Sequence, residues 1–238
     1  MQFISLGIKR STLARWTGGA AIASVCIAQA VTASPAGAWS HPAGPAGFTY
    51  AVSEGGTVNR SGVTDIAYGA KGKFNYKYAA TGSVSCSNST FGDPNKGVRK
   101  ACFVKPVVGP SGFSFVTSEY NHFTISGIAD VAYGDNGKFK YKYAMSGGVD
   151  CTNQVFGNPD NGIRKACFVK PVVGPAGYTF ATSEYQYFNI LGTSDVAYGA
   201  DGIFVYRQRV SGRVDCTNEI FGNPETGVRK ACFTKPSS

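Results

Sequence analysis

Asp65-Ile66-Ala67-Tyr68-Gly69-Ala70-Lys71-Gly72-Lys73-Phe74 returns as Asp130-Val131-Ala132-Tyr133-Gly134-Asp135-Asn136-Gly137-Lys138-Phe139, and again as Asp195-Val196-Ala197-Tyr198-Gly199-Ala200-Asp201-Gly202-Ile203-Phe204. The spacing is 65 residues each time. Within each copy a glycine closes a short polar turn between two apolar-alternating segments, which reads as a β-hairpin. The second arm is clearest in Lys138-Phe139-Lys140-Tyr141-Lys142-Tyr143, where aromatic and basic residues take opposite faces of a strand. Phe74, Tyr76 and Tyr78 repeat the aromatic side in the first copy; Phe204 and Tyr206 keep it in the third.

Outward from the hairpin the same register continues without insertion. Segments 44–106, 109–171 and 174–236 are three copies of one unit, and helical periodicity is absent from all of them. A further strand opens each unit, at Phe48 to Val52 in the first, and another closes it, at Arg99 to Phe103. Between them lies a loop rich in glycine and proline, Phe91 to Gly97, too broken to predict a helix. The chain therefore reads as all-β, with four or five short antiparallel strands per repeat. Two arrangements fit: tandem modules, or one pseudo-threefold body such as a β-trefoil.

The cysteines favour the first arrangement. Cys86 and Cys102, Cys151 and Cys167, and Cys216 and Cys232 recur in register, two per repeat, and repeat symmetry predicts one local disulfide in each. A loop of this length closed by a disulfide stabilises by about 3 kcal/mol in the chain-entropy model, enough to decide whether so small a core folds. A private staple per unit, with Pro106-Val107-Val108-Gly109-Pro110 as a stiff connector, suits modules better than a merged body. Zinc is disfavoured because no CxxC pair or nearby histidine completes four ligands.

Residues 1–38 read as an export signal. Lys9, Arg10 and Arg15 precede an apolar stretch, and small-residue sites end at Ala30 and Ala38, with cleavage after Ala38 preferred. The stretch is too short and polar to predict a retained membrane span. The expected compartment is oxidising: secreted, periplasmic or cell-surface, in a bacterium. The whole chain carries a formal net charge of +9; without the leader, 20 Lys and Arg face 14 Asp and Glu. The excess is concentrated in the first repeat, with eight basic and three acidic residues.

Enzymatic signatures are scarce. His41 and His122 do not recur, and GxSxG, HExxH, P-loop and Rossmann patterns are absent from the sequence. Glu54, Glu119 and Glu184 recur together with Asp65, Asp130 and Asp195. Such carboxylate pairs suit glycoside hydrolysis only inside a cleft, so the structural reading, an Asp capping a turn and a Glu accepting hydrogen bonds, is preferred. No clustered oxygen-ligand run predicts calcium. No metal or cofactor is expected, and no catalysis.

The recurrent aromatic and polar residues form the candidate binding set: Tyr68, Tyr133 and Tyr198; Asp65, Asp130 and Asp195; Asn88, Asn153 and Asn218; Arg99, Arg164 and Arg229. Sugars stack on flat rings while Asp, Asn and Arg fix hydroxyls, and three weak sites on one chain act together. The opposing reading is that the tyrosines fill a small core. The lysine stripe of Lys73, Lys77, Lys138, Lys140 and Lys142 points instead to an anionic polysaccharide, an intracellular nucleic acid being excluded by export; it also serves as a guard against edge pairing.

Ser53-Glu54-Gly55-Gly56-Thr57, Asp65 to Phe74, Cys86-Ser87-Asn88-Ser89-Thr90-Phe91-Gly92-Asp93-Pro94 and Lys100-Ala101-Cys102 together resemble a small disulfide-stapled module of secreted bacterial proteins, found singly or in tandem beside polysaccharide-active domains. The resemblance implies a non-catalytic, carbohydrate-associated module. Members often carry a further cysteine pair where this chain has Ala51 and Val58, Val116 and Phe123, and Ala181 and Phe188. Repeats two and three also replace Gly-Gly-Thr by Tyr120-Asn121-His122 and Tyr185-Gln186-Tyr187. The expected function is multivalent binding of extracellular glycan or surface polymer. Inhibition of an extracellular hydrolase and a structural or adhesive envelope role are the alternatives.

Overall fold

A computed structural model describes residues 41–237. The expected leader lies outside the described residues. Each repeat forms its own four-stranded antiparallel sheet, so the tandem arrangement holds and the trefoil alternative does not. In the first repeat β1 (Thr49–Ser53), β2 (Thr57–Ala70), β3 (Lys73–Ser85) and β4 (Ala101–Pro106) lie in the order β1-β4-β2-β3, with α1 (Asn88–Phe91) between β3 and β4. The second repeat has β5 (Ser114–Ser118), β6 (His122–Asp135), β7 (Lys138–Asp150), α2 (Asn153–Phe156) and β8 (Ala166–Pro171). The third has β9 (Thr179–Ser183), β10 (Tyr187–Ala200), β11 (Ile203–Asp215), α3 (Asn218–Phe221) and β12 (Ala231–Pro236).

The hairpin is the spine of each unit. Ala70 pairs with Lys73 across a two-residue turn, Lys71-Gly72, in which both residues have positive φ, as a type I′ turn demands. Asn136-Gly137 and Asp201-Gly202 do the same. The glycine that ends Ala-Tyr-Gly answers a close approach: a Cβ at Gly134 would overlap the carbonyl of Lys138 on the facing strand.

Two features differ from the sequence reading. β2 and β3 run 14 and 13 residues, longer than the short strands expected, because the glycine-containing stretch near Gly82 bends the hairpin through register shifts rather than ending it. A single helical turn also fits between the cysteines, over Asn88–Phe91, just before the glycine- and proline-rich loop begins. It is closed by Gly92, whose φ of 77° favours glycine.

Period-2 alternation gives each sheet two cores. On one face Val58, Ile66, Tyr68, Val84, Cys86, Cys102 and Val104 pack together; on the other, Ala67, Ala101 and Phe103 pack with Phe48, Tyr50 and Phe74. Disulfides join Cys86 to Cys102, Cys151 to Cys167 and Cys216 to Cys232, the local pairing expected. The positions where the resembled modules carry a further cysteine pair contribute apolar side chains to the disulfide-bearing core: Ala51 with Val58, and Val116 with Phe123.

Candidate ligand surface and module junctions

The twelve recurrent residues singled out in the sequence fall into three structural groups. The first is a buried network. Tyr68, Tyr133 and Tyr198 have no exposed surface. Each hydroxyl donates to a glutamate: Tyr68 to Glu54 at 2.5 Å, Tyr133 to Glu119, Tyr198 to Glu184 at 2.6 Å. The same hydroxyls lie 2.8–2.9 Å from the side-chain amides of Asn88, Asn153 and Asn218. A phenol has one proton, so an amide turned nitrogen-inward donates back to it. Each glutamate also accepts from the backbone N–H of Lys100, Lys165 or Lys230 and lies 3.3–3.4 Å from that lysine's ammonium. Burial and the neighbouring carboxylate push the tyrosine hydroxyls well above the ordinary phenol pKa, which keeps them donors. The buried tyrosines cannot stack on a sugar where they sit; together with the glutamates and the asparagine side chains that reach in from the surface they form a core brace.

The aspartates make the second group. Asp65 accepts from the backbone N–H of Ala79, Asp130 from Ala144 and Asp195 from Arg209, at 2.9–3.0 Å. The three donors have φ near 50°, in the left-handed region unfavourable for side-chain-bearing residues. The carboxylate thus pins a strand irregularity, the turn-capping role preferred above.

Arginine forms the third group, and it belongs to the junctions between repeats. Arg164 of the second repeat lies 4.5 Å from the ring of Tyr78 in the first and 4.7 Å from Tyr120 in its own repeat, and donates to the Glu119 carbonyl at 2.7 Å. Arg229 repeats the arrangement with Tyr143, Tyr185 and the Glu184 carbonyl. Lys105 bridges to Asp135, and Lys170 to Asp201 at 2.6 Å, across the same two junctions. Arg99 has no preceding repeat and is exposed. Tyr120 and Tyr185 sit at φ of 72° and 67°, where the first repeat has Gly55. An aromatic in that region carries strain of order 1–3 kcal/mol, held by the arginine contact. The tyrosine that replaces the first glycine of Gly-Gly-Thr in the later repeats is therefore explained by the arginine at the junction.

The junctions also separate the aspartates electrostatically. Burial pushes the Asp65 and Asp130 carboxyls above the ordinary aspartate value. Asp195 is held below it by the Arg209 N–H and the Ser237 hydroxyl. Burial of Glu184 opposes ionisation, but Tyr198 and Lys230 outweigh it and hold its carboxyl below the usual range. A depressed folded pKa gives stability present above the unfolded value and lost as pH falls; a raised one gives the reverse. Glu54 is also held below the usual range, by the Tyr68 hydroxyl and by Lys100, so acidification through the carboxylate range should weaken the third repeat most, where two depressed carboxyls stand together, while in the first repeat the loss at Glu54 is offset by relief of the burial cost at Asp65. Amide hydrogen exchange from neutral to acid pH checks this: protection lost first in β10–β12 is expected, and uniform loss contradicts it.

Among the aromatics left exposed is a triplet, present in every repeat, that the sequence placed on the strand face but not in the binding set. Tyr76, Tyr141 and Tyr206 occupy one position in the three repeats and are 42%, 41% and 52% exposed. Each is backed edge-on by an aromatic of its own opening segment, Phe48, Phe113 or Tyr178, with centroids 5.8–5.9 Å apart. Tyr76 and Tyr141 also lie nearly parallel to Tyr78 and Tyr143. Strand alternation was the signal that could have found them. Between the second and third repeats an open groove of about 1110 Å³ runs past Phe113, Tyr141, Tyr206, Lys170, Asp201, Glu225 and Arg229.

No protein-family model matches the chain. The chain is 30% identical over 142 aligned positions to "Uncharacterized protein L701" of Acanthamoeba polyphaga mimivirus, covering 51% of this chain and 69% of that protein. It belongs to the same family as that protein. The relative's description names no activity, so membership of this family fixes ancestry without assigning a ligand. Three disulfides fit an extracellular or secreted protein. No helix among the described residues is long and apolar enough to cross a membrane.

Proposed function

We propose that the protein is a secreted, non-catalytic, multivalent binder of extracellular glycan, and that Tyr76, Tyr141 and Tyr206 are its stacking platforms. The observation that carries this reading is their equivalence: one exposed, edge-supported tyrosine at the same strand position of every repeat. An exposed aromatic ring held by a second ring offers a rigid flat face, and a pyranose ring presents C–H surface complementary to it. Of the other recurrent residues, the tyrosine, asparagine and glutamate groups form the brace, the aspartates pin strand irregularities, and Arg164 and Arg229 sit at the junctions. The basic stripe contributes less, since Lys138 is paired with Asp160 at 3.1 Å and its counterpart in the third repeat is Ile203.

Multivalency gives the reading a sharp test. Linked weak sites exceed a single site by about 10²–10⁴-fold in apparent affinity. Substituting two of the three tyrosines by alanine should remove an enhancement of that order on a polysaccharide-coated surface, while one substitution has a smaller effect. Binding measured at low and physiological salt separates the anionic-polymer alternative, whose affinity falls steeply as salt rises. Full binding by the triple alanine variant would refute the platforms.

A further inference from the structure

We propose that the first junction is a site of self-modification, where the Lys105 amine and the Asp135 carboxyl condense to an amide that ties the first repeat covalently to the second. Lys105 lies on β4 and Asp135 ends β6; their side chains meet as an ion pair and are only 10% and 7% exposed. Among the described residues neither side chain has a second hydrogen-bond partner. This sets the pair apart from the buried lysines of the brace. Lys165 and Lys230 also donate to the carbonyls of Ile163 and Val228, and their glutamates also accept a tyrosine hydroxyl and a backbone N–H. At the second junction Lys170 and Asp201 are 22% and 43% exposed, so water competes there. Only the second repeat has an acid at the Asp135 position, where the others have Ala70 and Ala200.

In water an ammonium and a carboxylate stay ionised and do not condense. Out of water the charged forms lose their solvation, and passing the ammonium proton to the carboxylate leaves an amine lone pair facing a neutral acid. Nζ then bonds to Cγ, and the bond from Cγ to the hydroxyl oxygen breaks. The attacking nitrogen must shed a proton and the departing hydroxyl must gain one. Asp65 is placed to carry it: it stands opposite Lys105 in the β2–β4 register, is buried, and shares with Asp135 the wall of a cavity of about 10 Å³. That is the lower limit of space for the one water released. Burial holds the Asp65 carboxyl above the ordinary aspartate value, against the pull of the Ala79 N–H, Lys105 and Arg164, which suits a group that takes up and returns a proton. Ammonium and carboxylate give amide and water, with no oxidant, reductant or cofactor consumed. The bond would hold the first two repeats together even after cleavage in the Val107-Val108 connector, which an ion pair does not do once the chain unfolds.

The test is the intact mass of the purified full chain with its disulfides left oxidised. The parent should be one water lighter than its sequence, and peptide sequencing should place the loss in a branched peptide that joins Lys105 to Asp135. Lys105→Arg keeps a cation but cannot form the amide, so it should show the unmodified mass. Asp135→Asn should lose one ammonia instead and still be joined to Lys105. Asp65→Asn keeps an acceptor for the Ala79 N–H and should slow formation by about 10²- to 10⁴-fold, so that freshly purified chain is unmodified and matures on incubation. A parent at its unmodified mass overturns the proposal. Water lost elsewhere overturns it too; a succinimide at Asp201-Gly202 has the same mass but opens in mild alkali, where the amide persists. Full-rate formation in Asp65→Asn would overturn the part given to Asp65 and leave the cross-link standing.

Discussion

Glu119→Ala should destabilise the second repeat by about 3–5 kcal/mol, the cost of leaving one partner of a buried ion pair uncompensated. Glu119 is 2% exposed and takes the Tyr133 hydroxyl, the Lys165 N–H and, at 3.3 Å, the Lys165 ammonium, whose side chain is 4% exposed. Without the carboxylate, Lys165 keeps the carbonyls of Ile163 and Asp160 but no counter-charge. Small domains are stable by only about 5–15 kcal/mol, so the loss is a large share of the total. Urea denaturation should show a lowered midpoint with native β-sheet signal retained at zero denaturant, and Glu119→Gln should recover part of the loss by restoring an acceptor.

The first repeat supplies an internal control. Glu54 makes the same bonds, yet its side chain is 25% exposed, Gly55 stands where Tyr120 and Tyr185 follow the other two glutamates, and Lys100 keeps a second counter-charge in Asp93 at 3.3 Å. Water screens what the tyrosine would cover, so Glu54→Ala should cost distinctly less than Glu119→Ala. Equal losses at the two positions would contradict the idea that burial sets the strength of the brace.

The contrast shows how far the sequence could be read. The 65-residue register placed the hairpin, the disulfide and the tandem units, since these follow from residues close in the chain. It also identified the aspartate as a cap and the glutamate as an acceptor. Period-2 alternation correctly put Tyr76 and Tyr78 on one face and Tyr68 among another recurrent set, but alternation does not say which face is covered. The disulfide, the helical turn over Asn88–Phe91 and the closing strand all cover the Tyr68 side, so the tyrosine with the more recurrent surroundings is the buried one. The arginines were read as sugar-fixing groups because their partners, Tyr78 and Tyr143, lie in the preceding repeat. Contacts across a junction leave no local period to detect.

They do leave a directional signature, which makes the second large effect testable. Combining Arg164→Ala with Arg229→Ala should uncouple the three repeats. At each junction the contact of the guanidinium that crosses between repeats is the one to Tyr78 or Tyr143, a cation–π contact of about 0.5–2 kcal/mol. A loss of about 0.5–2 kcal/mol of coupling per junction is expected, while the carbonyl bond and the second ring contact are lost within the repeat and the strain at Tyr120 and Tyr185 is released in the same step. Scanning calorimetry should convert a concerted transition into separate, broader ones; an unchanged single transition would remove the arginines from the coupling role.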